Sequence, residues 1–374
     1  MRILYGVVGE GMGHATRSAV VIEHLLSAGH EVKVVVSGKA HGFLRDRFSG
    51  RAGWAIEEIE GLTLRYFGNR LDRAGSLFWN LLNAPKAVTK GVKVYRKVAE
   101  ENFRPQLVVS DFESWAALYA LNHRLPVVSI DNIQALNRLQ HQKPIRKGKG
   151  FDFRLGRYAV KMKVPGAYHY LITSFFFPRV RKKYTTLVPP ILRKEVLGAV
   201  REPGEHVLVY QRAIAQSELV PMLKELPYEF RVYGGEADEV TGNVKLRRFS
   251  GAGFLEDLRT ARAVIAGGGF SLMSEAVSLR VPTLSIPIEG QYEQEMNARY
   301  LQELGYGARS RNVEVETISN FLERTDEFAT SLSAYERRDN GIALACLDEI
   351  LSRVDKGKKR PQRLETQAMG AWGD

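Results

Sequence analysis

The chain predicts an α/β protein of two doubly wound parallel-sheet domains facing each other across a cleft. Three observations carry this. Its 374 residues suffice for two domains that each bury a core of their own. The first forty residues run as an apolar strand, a glycine-rich loop, a helix and a second strand, which is how a wound parallel sheet begins. A strand–glycine–helix unit of the same kind appears near residue 265, after a break marked by Pro189-Pro190 and Pro203-Gly204.

In chain order, residues 2–8 form a continuous apolar strand that enters a loop containing Gly9, Gly11 and Gly13. A helix over about 15–28 follows, closed by Gly29, and residues 31–36 give the next strand. The glycines resemble a dinucleotide fingerprint, yet no acidic residue ends that second strand, so NAD binding is rejected. Residues 106–110 read as a strand ending in Asp111, and 126–130 as another ending in Asp131. Residues 169–173 read as the last strand of a first domain covering 1–190. After a linker over 191–204, a second domain spans 205–331, with strands expected at 206–210, 230–233, 245–249, 263–266 and 282–286. Residues 332–354 are expected to be a helix, and 355–374 a polar, disordered tail.

The net charge is +12, but it is not evenly spread. Residues 1–190 carry 30 basic against 14 acidic side chains, and residues 191–374 carry 24 against 28. So basic a half-molecule calls for an anionic neighbour: lipid headgroups, a lipid diphosphate or nucleic acid. Within it, residues 77–98 mix Phe78, Trp79, Leu81 and Leu82 with lysines around Pro85, which should break or kink a helix. That composition suits either an anionic membrane surface or a core-facing helix with a solvated basic side. Residues 143–163 pair basic with aromatic residues, as a flap over an acceptor or a headgroup contact would, or as a single-stranded nucleic-acid groove would. The lone Cys346 forms no intrachain disulfide and fits a reducing compartment. No apolar run is long enough to span a bilayer, and the N-terminus leads straight into a strand; the expected location is the cytoplasm, peripheral on the inner face of the membrane.

The most informative stretch is 263–298. A short apolar strand ends in Gly267-Gly268-Gly269 and restarts as a helix for which Ser271 is the expected N-cap. Unpaired amides and the helix dipole make such an end a seat for phosphate. One turn on, Glu275 can take both hydroxyls of a ribose. The following strand delivers a loop with Glu289, Gln291, Glu293, Gln294 and Asn297, the two-ended polar groups that hold sugars. In the first domain, His14 stands at the C-terminal edge of the sheet, where a strand-end carboxylate can orient its imidazole.

Gly268-Gly269, Glu275, Pro282, Pro287, Glu293-Gln294 and Asn297-Ala298 resemble the donor-sugar signature of glycosyltransferases of the GT-B fold, which consists of two Rossmann-like domains. The likeness is to the N-acetylglucosaminyltransferase of the lipid-linked peptidoglycan precursor and to the UDP-glycosyltransferases, over the N-terminal loop and most of residues 205–305. It implies that the helix end takes the diphosphate, Glu275 the ribose, Glu293 and Gln294 the donor sugar, and the loop around Phe249 the uracil. The donor residues carried over are thus Phe249, Gly268, Gly269, Ser271, Glu275, Glu293 and Gln294. UDP-glycosyltransferases often have Asp where this chain has Glu293, so the sugar is not read from the pair. The resemblance also implies a base, His14, assisted by Asp111. Gly13, Arg17, Asp131 and Gln291 form a second group, facing acceptor or phosphate. The expected reaction is inverting transfer from a UDP-sugar to a lipid-linked or anionic acceptor, with no metal and no further cofactor. Two alternatives stand beside it. A UDP-N-acetylglucosamine 2-epimerase of the same fold would leave the basic half without an acceptor, and a nucleic-acid-binding protein lacks any base-reading pattern here.

Overall fold

The computed structural model describes residues 1–9, 11–101, 103–146, 151–211, 216–235 and 238–364. The strands in chain order are β1 (Arg2–Val7), β2 (Glu31–Ser37), β3 (Trp54–Ile59), β4 (Arg65–Phe67), β5 (Arg70–Asp72), β6 (Leu107–Asp111), β7 (Val127–Asp131), β8 (His169–Thr173) and β9 (Thr185–Val188), then β10 (Val207–Tyr210), β11 (Phe230–Gly235), β12 (Glu239–Thr241), β13 (Val244–Arg248), β14 (Ala263–Ala266), β15 (Thr283–Ser285) and β16 (Gly307–Arg309). They build two seven-stranded sheets, ordered β3-β2-β1-β6-β7-β8-β9 and β12-β13-β11-β10-β14-β15-β16, and a separate hairpin of β4 and β5. Every pairing in the first sheet is parallel, and only β12 runs antiparallel in the second. The parallel strands are Val-, Ile- and Leu-rich because both sheet faces are covered by helices.

Among its parallel strands each sheet reverses its order once, between β1 and β6 in the first and between β10 and β14 in the second. Loops on either side of such a reversal part and leave a crevice at the carboxyl ends of the strands. The His14 loop leaves β1 and Asp111 ends β6, with Val7 and Asp111 in register. The glycine loop leaves β14 beside the end of β10, with Ala266 opposite Tyr210. Both sequence-marked loops therefore stand at switch points.

Several expectations need correction. The first sheet ends on β9, not on β8; this four-residue, threonine-containing strand is fully buried. The helix around Pro85 runs unbroken from Arg73 to Glu100. Its N-terminal half exposes Leu77, Phe78, Trp79, Leu81 and Leu82, so this stretch does not face a core. In place of one helix over 332–354 there is Gly341–Asp355, preceded by an extended crossing. Buried Asn340 pins that crossing, accepting from Leu192 N and donating to Leu192 O. Ala343, Cys346, Leu347, Ile350 and Leu351 of the last helix complete the core of the first domain. The segment expected to be a disordered tail packs there as far as Leu364, whose amide donates to Thr186 Oγ1 at 3.0 Å; residues 365–374 lie outside the described ones.

A third apolar cluster spans both domains, joining Phe175, Phe176 and Ile145 of the first to Phe270, Met296 and Tyr300 of the second. Phe176 stacks on Tyr300 with centroids 3.9 Å apart, and Phe175 stacks on Phe270 at 6.1 Å. Phe270 opens the helix after the glycine loop, so that helix end is anchored against the opposite domain. The basic segment expected as a flap belongs to the same interface. Its helix Phe151–Lys163 brings Phe153 edge-on to Tyr292, and a Cβ on Gly156 would sit 2.4 Å from the Tyr292 ring. Lys147 to Gly150 of that segment lie outside the described residues.

Candidate active site

The helix Met12–Ser27 starts at Gly11, whose φ of 84° is open to glycine and strained for other residues. It carries His14, Arg17 and Ser18 toward the end of β6. Asp111 has no exposed surface and collects all three. Its Oδ1 lies 2.7 Å from His14 Nδ1 and also accepts from Arg17, while its Oδ2 accepts from Arg17 Nε at 3.1 Å and Ser18 Oγ at 2.8 Å. Arg17 Nη2 also lies 3.0 Å from Nδ1, but the ionised carboxylate, which only accepts, is closer, so the ring proton is assigned to Nδ1 and Nε2 is left as the basic atom. Burial alone would push the Asp111 carboxyl up, but the Arg17 guanidinium and His14 outweigh it and hold it below its ordinary value. Arg17, itself buried, is raised despite its burial by that carboxylate. Arg17 is therefore the buried counter-ion of Asp111.

Asp131, at the end of β7, is also buried. It accepts from Gln134 N at 2.7 Å and Ser129 Oγ at 2.7 Å, and burial raises it above its usual range. From the second domain, Glu293 reaches the same region: burial raises its carboxyl, against the opposing pull of His14 and Arg17 and with Asp131 adding to the rise. Three carboxylates from two domains thus share one field with one histidine and one arginine.

The second half of the site departs from expectation in one respect. The helix after the glycine loop is Phe270–Ser278, its N-cap is Gly269, and no side chain caps it. Ser271 instead meets the first domain, for a Cβ on Gly13 would lie 2.3 Å from Ser271 Oγ. The first turns of the two helices touch here, and a side chain at Gly13 would have to displace the Ser271 hydroxyl. Gly268 is fixed in turn by the helix Tyr292–Glu303: its amide donates to Gln294 Oε1 at 3.1 Å, its carbonyl accepts from Asn297 Nδ2 at 3.1 Å, and a Cβ would fall 2.4 Å from Gln294 O. Gln294 Oε1 also accepts from Ile288 N, and Gln294 Nε2 donates to Gln291 Oε1. The Gln294 carbonyl oxygen is thus spent on shaping the glycine loop, while Gln291 braces it.

Glu275 is buried and bound at both oxygens by Arg193, at 2.8 and 2.9 Å. Arg193 comes from the linker, and nothing in the local sequence singles it out. Beside this pair opens a cavity of about 670 Å³, walled by Thr16, Val20, Phe43, Arg193, Leu255 and Arg259 among others. Arg193 is on its wall, but Glu275, His14 and the glycine loop are not. Phe249 is 55% exposed and sits over Tyr210, Tyr233 and Phe254, forming an aromatic ledge at the carboxyl end of β13. Among the described residues, no group of three or more His, Cys, Asp or Glu is placed to hold a metal ion, and no helix is long and apolar enough to cross a membrane.

Comparison with known proteins gives the family and the fold. Residues 1–326 match the family model Glyco_trans_1_3, described as Glycosyl transferase family 1. An uncharacterized glycosyltransferase of Methanosarcina mazei is 29% identical over 338 residues, covering 82% of this chain and 85% of its own. One from Methanosarcina acetivorans is 25% identical over 396 residues, covering 98% and 92%. Among solved structures, the glycotransferase of kitacinnamycin superposes with a TM-score of 0.66 at 17% identity, over 94% of this chain and 98% of that one. LpCGTa in complex with UDP gives 0.65 at 14% identity, over 95% and 99%. At such identities the structural likenesses establish the shared fold.

Proposed function

The chain belongs to glycosyl transferase family 1, and from that premise we propose the finer reaction: inverting, metal-independent transfer of a sugar from a UDP-sugar to a hydroxyl of a lipid-linked or otherwise anionic cell-envelope acceptor. Sugar transfer and the two-domain GT-B architecture come with the family and the fold. The observation supporting the finer reading is the meeting of the two switch points: Gly13, next to His14, lies against Ser271 on the helix that follows the glycine loop.

In this reading the acceptor hydroxyl gives its proton to His14 Nε2 while its oxygen bonds to the anomeric carbon and the bond to the diphosphate breaks. Asp111 stabilises the imidazolium that results. The departing UDP gathers charge, and the uncapped amides at Gly269–Ser271 stand where that charge develops. Glu275, oriented by Arg193, takes the ribose, Phe249 flanks the uracil, and Glu293 meets the donor sugar. The raised carboxyl of Glu293 suits a group that hydrogen-bonds a neutral hydroxyl.

The acceptor side rests on the helix Arg73–Glu100. Leu77, Phe78, Trp79, Leu81 and Leu82 stand exposed on the basic half of the molecule, a pattern that fits an anionic lipid surface approached from the cytoplasm. A turnover assay tests the whole reading. UDP release is expected when a UDP-sugar is offered with lipid-linked acceptor in anionic vesicles, and not with the UDP-sugar alone. Release of an epimer without acceptor would point to an epimerase instead, and steep salt-dependent binding of oligonucleotide but not of vesicles to a nucleic-acid-binding protein.

A further inference from the structure

We propose that the hairpin of β4 and β5 is a strap by which the acceptor domain sets the donor loop, and that Tyr66 is its positioning residue; the proposal rests on the donor-site reading above. The hairpin leaves the first domain and joins the second by backbone. Leu71 N donates to Glu289 O at 2.9 Å, and Glu289 N donates to Asn69 O at 2.8 Å, forming a parallel bridge between Arg70 and Glu289. Asn69 Nδ2 adds a bond to Pro287 O at 3.3 Å. Gly290 makes the turn behind this bridge at φ 89°, with Leu71 packed against it.

From this clasp a relay of side chains runs inward. Tyr66 Oη accepts from Gln291 Nε2 at 2.6 Å, Gln291 Oε1 accepts from Gln294 Nε2, and Gln294 Oε1 accepts from the amides of Gly268 and Ile288, each at 3.1 Å. The two backbone donors dictate the orientation of every amide in the series. They fix which end of Gln294 is oxygen; that fixes Gln291, and Gln291 must then present its Nε2 to the tyrosine. A first-domain hydroxyl thus ends a chain of bonds that starts at the Gly268 amide, in the loop leading into the helix end assigned to the diphosphate. Without that hydroxyl, Gln291 loses the partner holding its amide, and Gln294 loses the brace that keeps its oxygen on Gly268 and Ile288.

The strap also explains how two domains that each hold one reactant can act together. The hairpin is continuous with the exposed apolar helix through Asp72, the N-cap of that helix, whose side chain accepts from Gly75 N. Contact at the acceptor surface and the shape of the donor loop are therefore linked through one short piece of chain.

Tyr66→Phe in the full-length protein tests this. Tyr66 is 42% exposed, so the isosteric change leaves the fold intact. The strap predicts that KM for the UDP-sugar rises roughly three- to tenfold, the size of one neutral hydrogen bond, with a much smaller change in kcat. In a Gln291→Ala background, the same substitution should add nothing. Independently of any sugar, amide hydrogen exchange at Gly268 and Ile288 should quicken in Tyr66→Phe. Unchanged exchange at both amides overturns the strap. Quickened exchange in a protein that never turns over a UDP-sugar upholds the strap and overturns the reaction assigned to the site.

Discussion

His14→Ala is expected to cut sugar transfer by about 10² to 10⁴, the range for a positioned general base, while UDP binds nearly as it does to the wild type. The expectation follows from where the imidazole is held. Its Nδ1 is committed to Asp111, which leaves Nε2 for the acceptor. The nucleotide's own seat, the uncapped helix end and Glu275 with Arg193, lies on other elements. Initial rates of transfer together with a calorimetric UDP titration separate the two effects. Weakened UDP binding with retained turnover would contradict the base assignment.

Asp111→Ala should be the most destabilising change in the site. The aspartate is wholly buried, and its removal strands the Arg17 guanidinium, only 4% exposed, without a carboxylate. Breaking one side of a buried pair costs about 3–5 kcal/mol, which measures the stranded charge and not the net worth of the pair. The pH dependence has a definite sign. Because the folded Asp111 carboxyl is held below its ordinary value of 3.8, its stabilising effect is present above that value and fades as pH falls through the lower, folded one. Urea unfolding of wild type and variant should therefore differ most near neutrality and converge in acid. Asp111→Asn keeps the shape but no longer dictates the histidine tautomer, so transfer should fall steeply in that variant as well. A variant of wild-type stability at pH 7 would show that Arg17 finds another counter-ion.

Much of this site was legible in the sequence because it depends on local patterns at strand ends. A glycine loop after an apolar strand announces a switch-point turn, and a carboxylate ending a later strand announces a neighbour. Those grounds set both Asp111 and Asp131 near His14; the resemblance chose Asp111, 97 residues away. What escaped depends on contacts between distant surfaces. Ser271 has the composition of a cap, yet the close approach of Gly13 draws it into the domain interface. Arg193 is an ordinary linker arginine until the fold sets it on Glu275. The hairpin of β4 and β5 is too short to show alternation, and β9 is four residues without strong patterning. The amphipathic composition of residues 77–98 allowed two readings, and the fold divides them: Val94 and Val98 pack into a core, while Leu77, Phe78, Trp79, Leu81 and Leu82 stand outside. Nothing in the local sequence around Phe270 and Tyr300 shows that the opposite domain buries them.

The account turns on the start of the helix Phe270–Ser278 as the seat of a departing diphosphate. A crystal structure with bound UDP tests it most directly. The prediction is density for the two phosphates within hydrogen-bonding distance of the amides of Gly269 to Ser271, with the ribose at Glu275. Diphosphate found elsewhere, with those amides unengaged at saturating UDP, would contradict it.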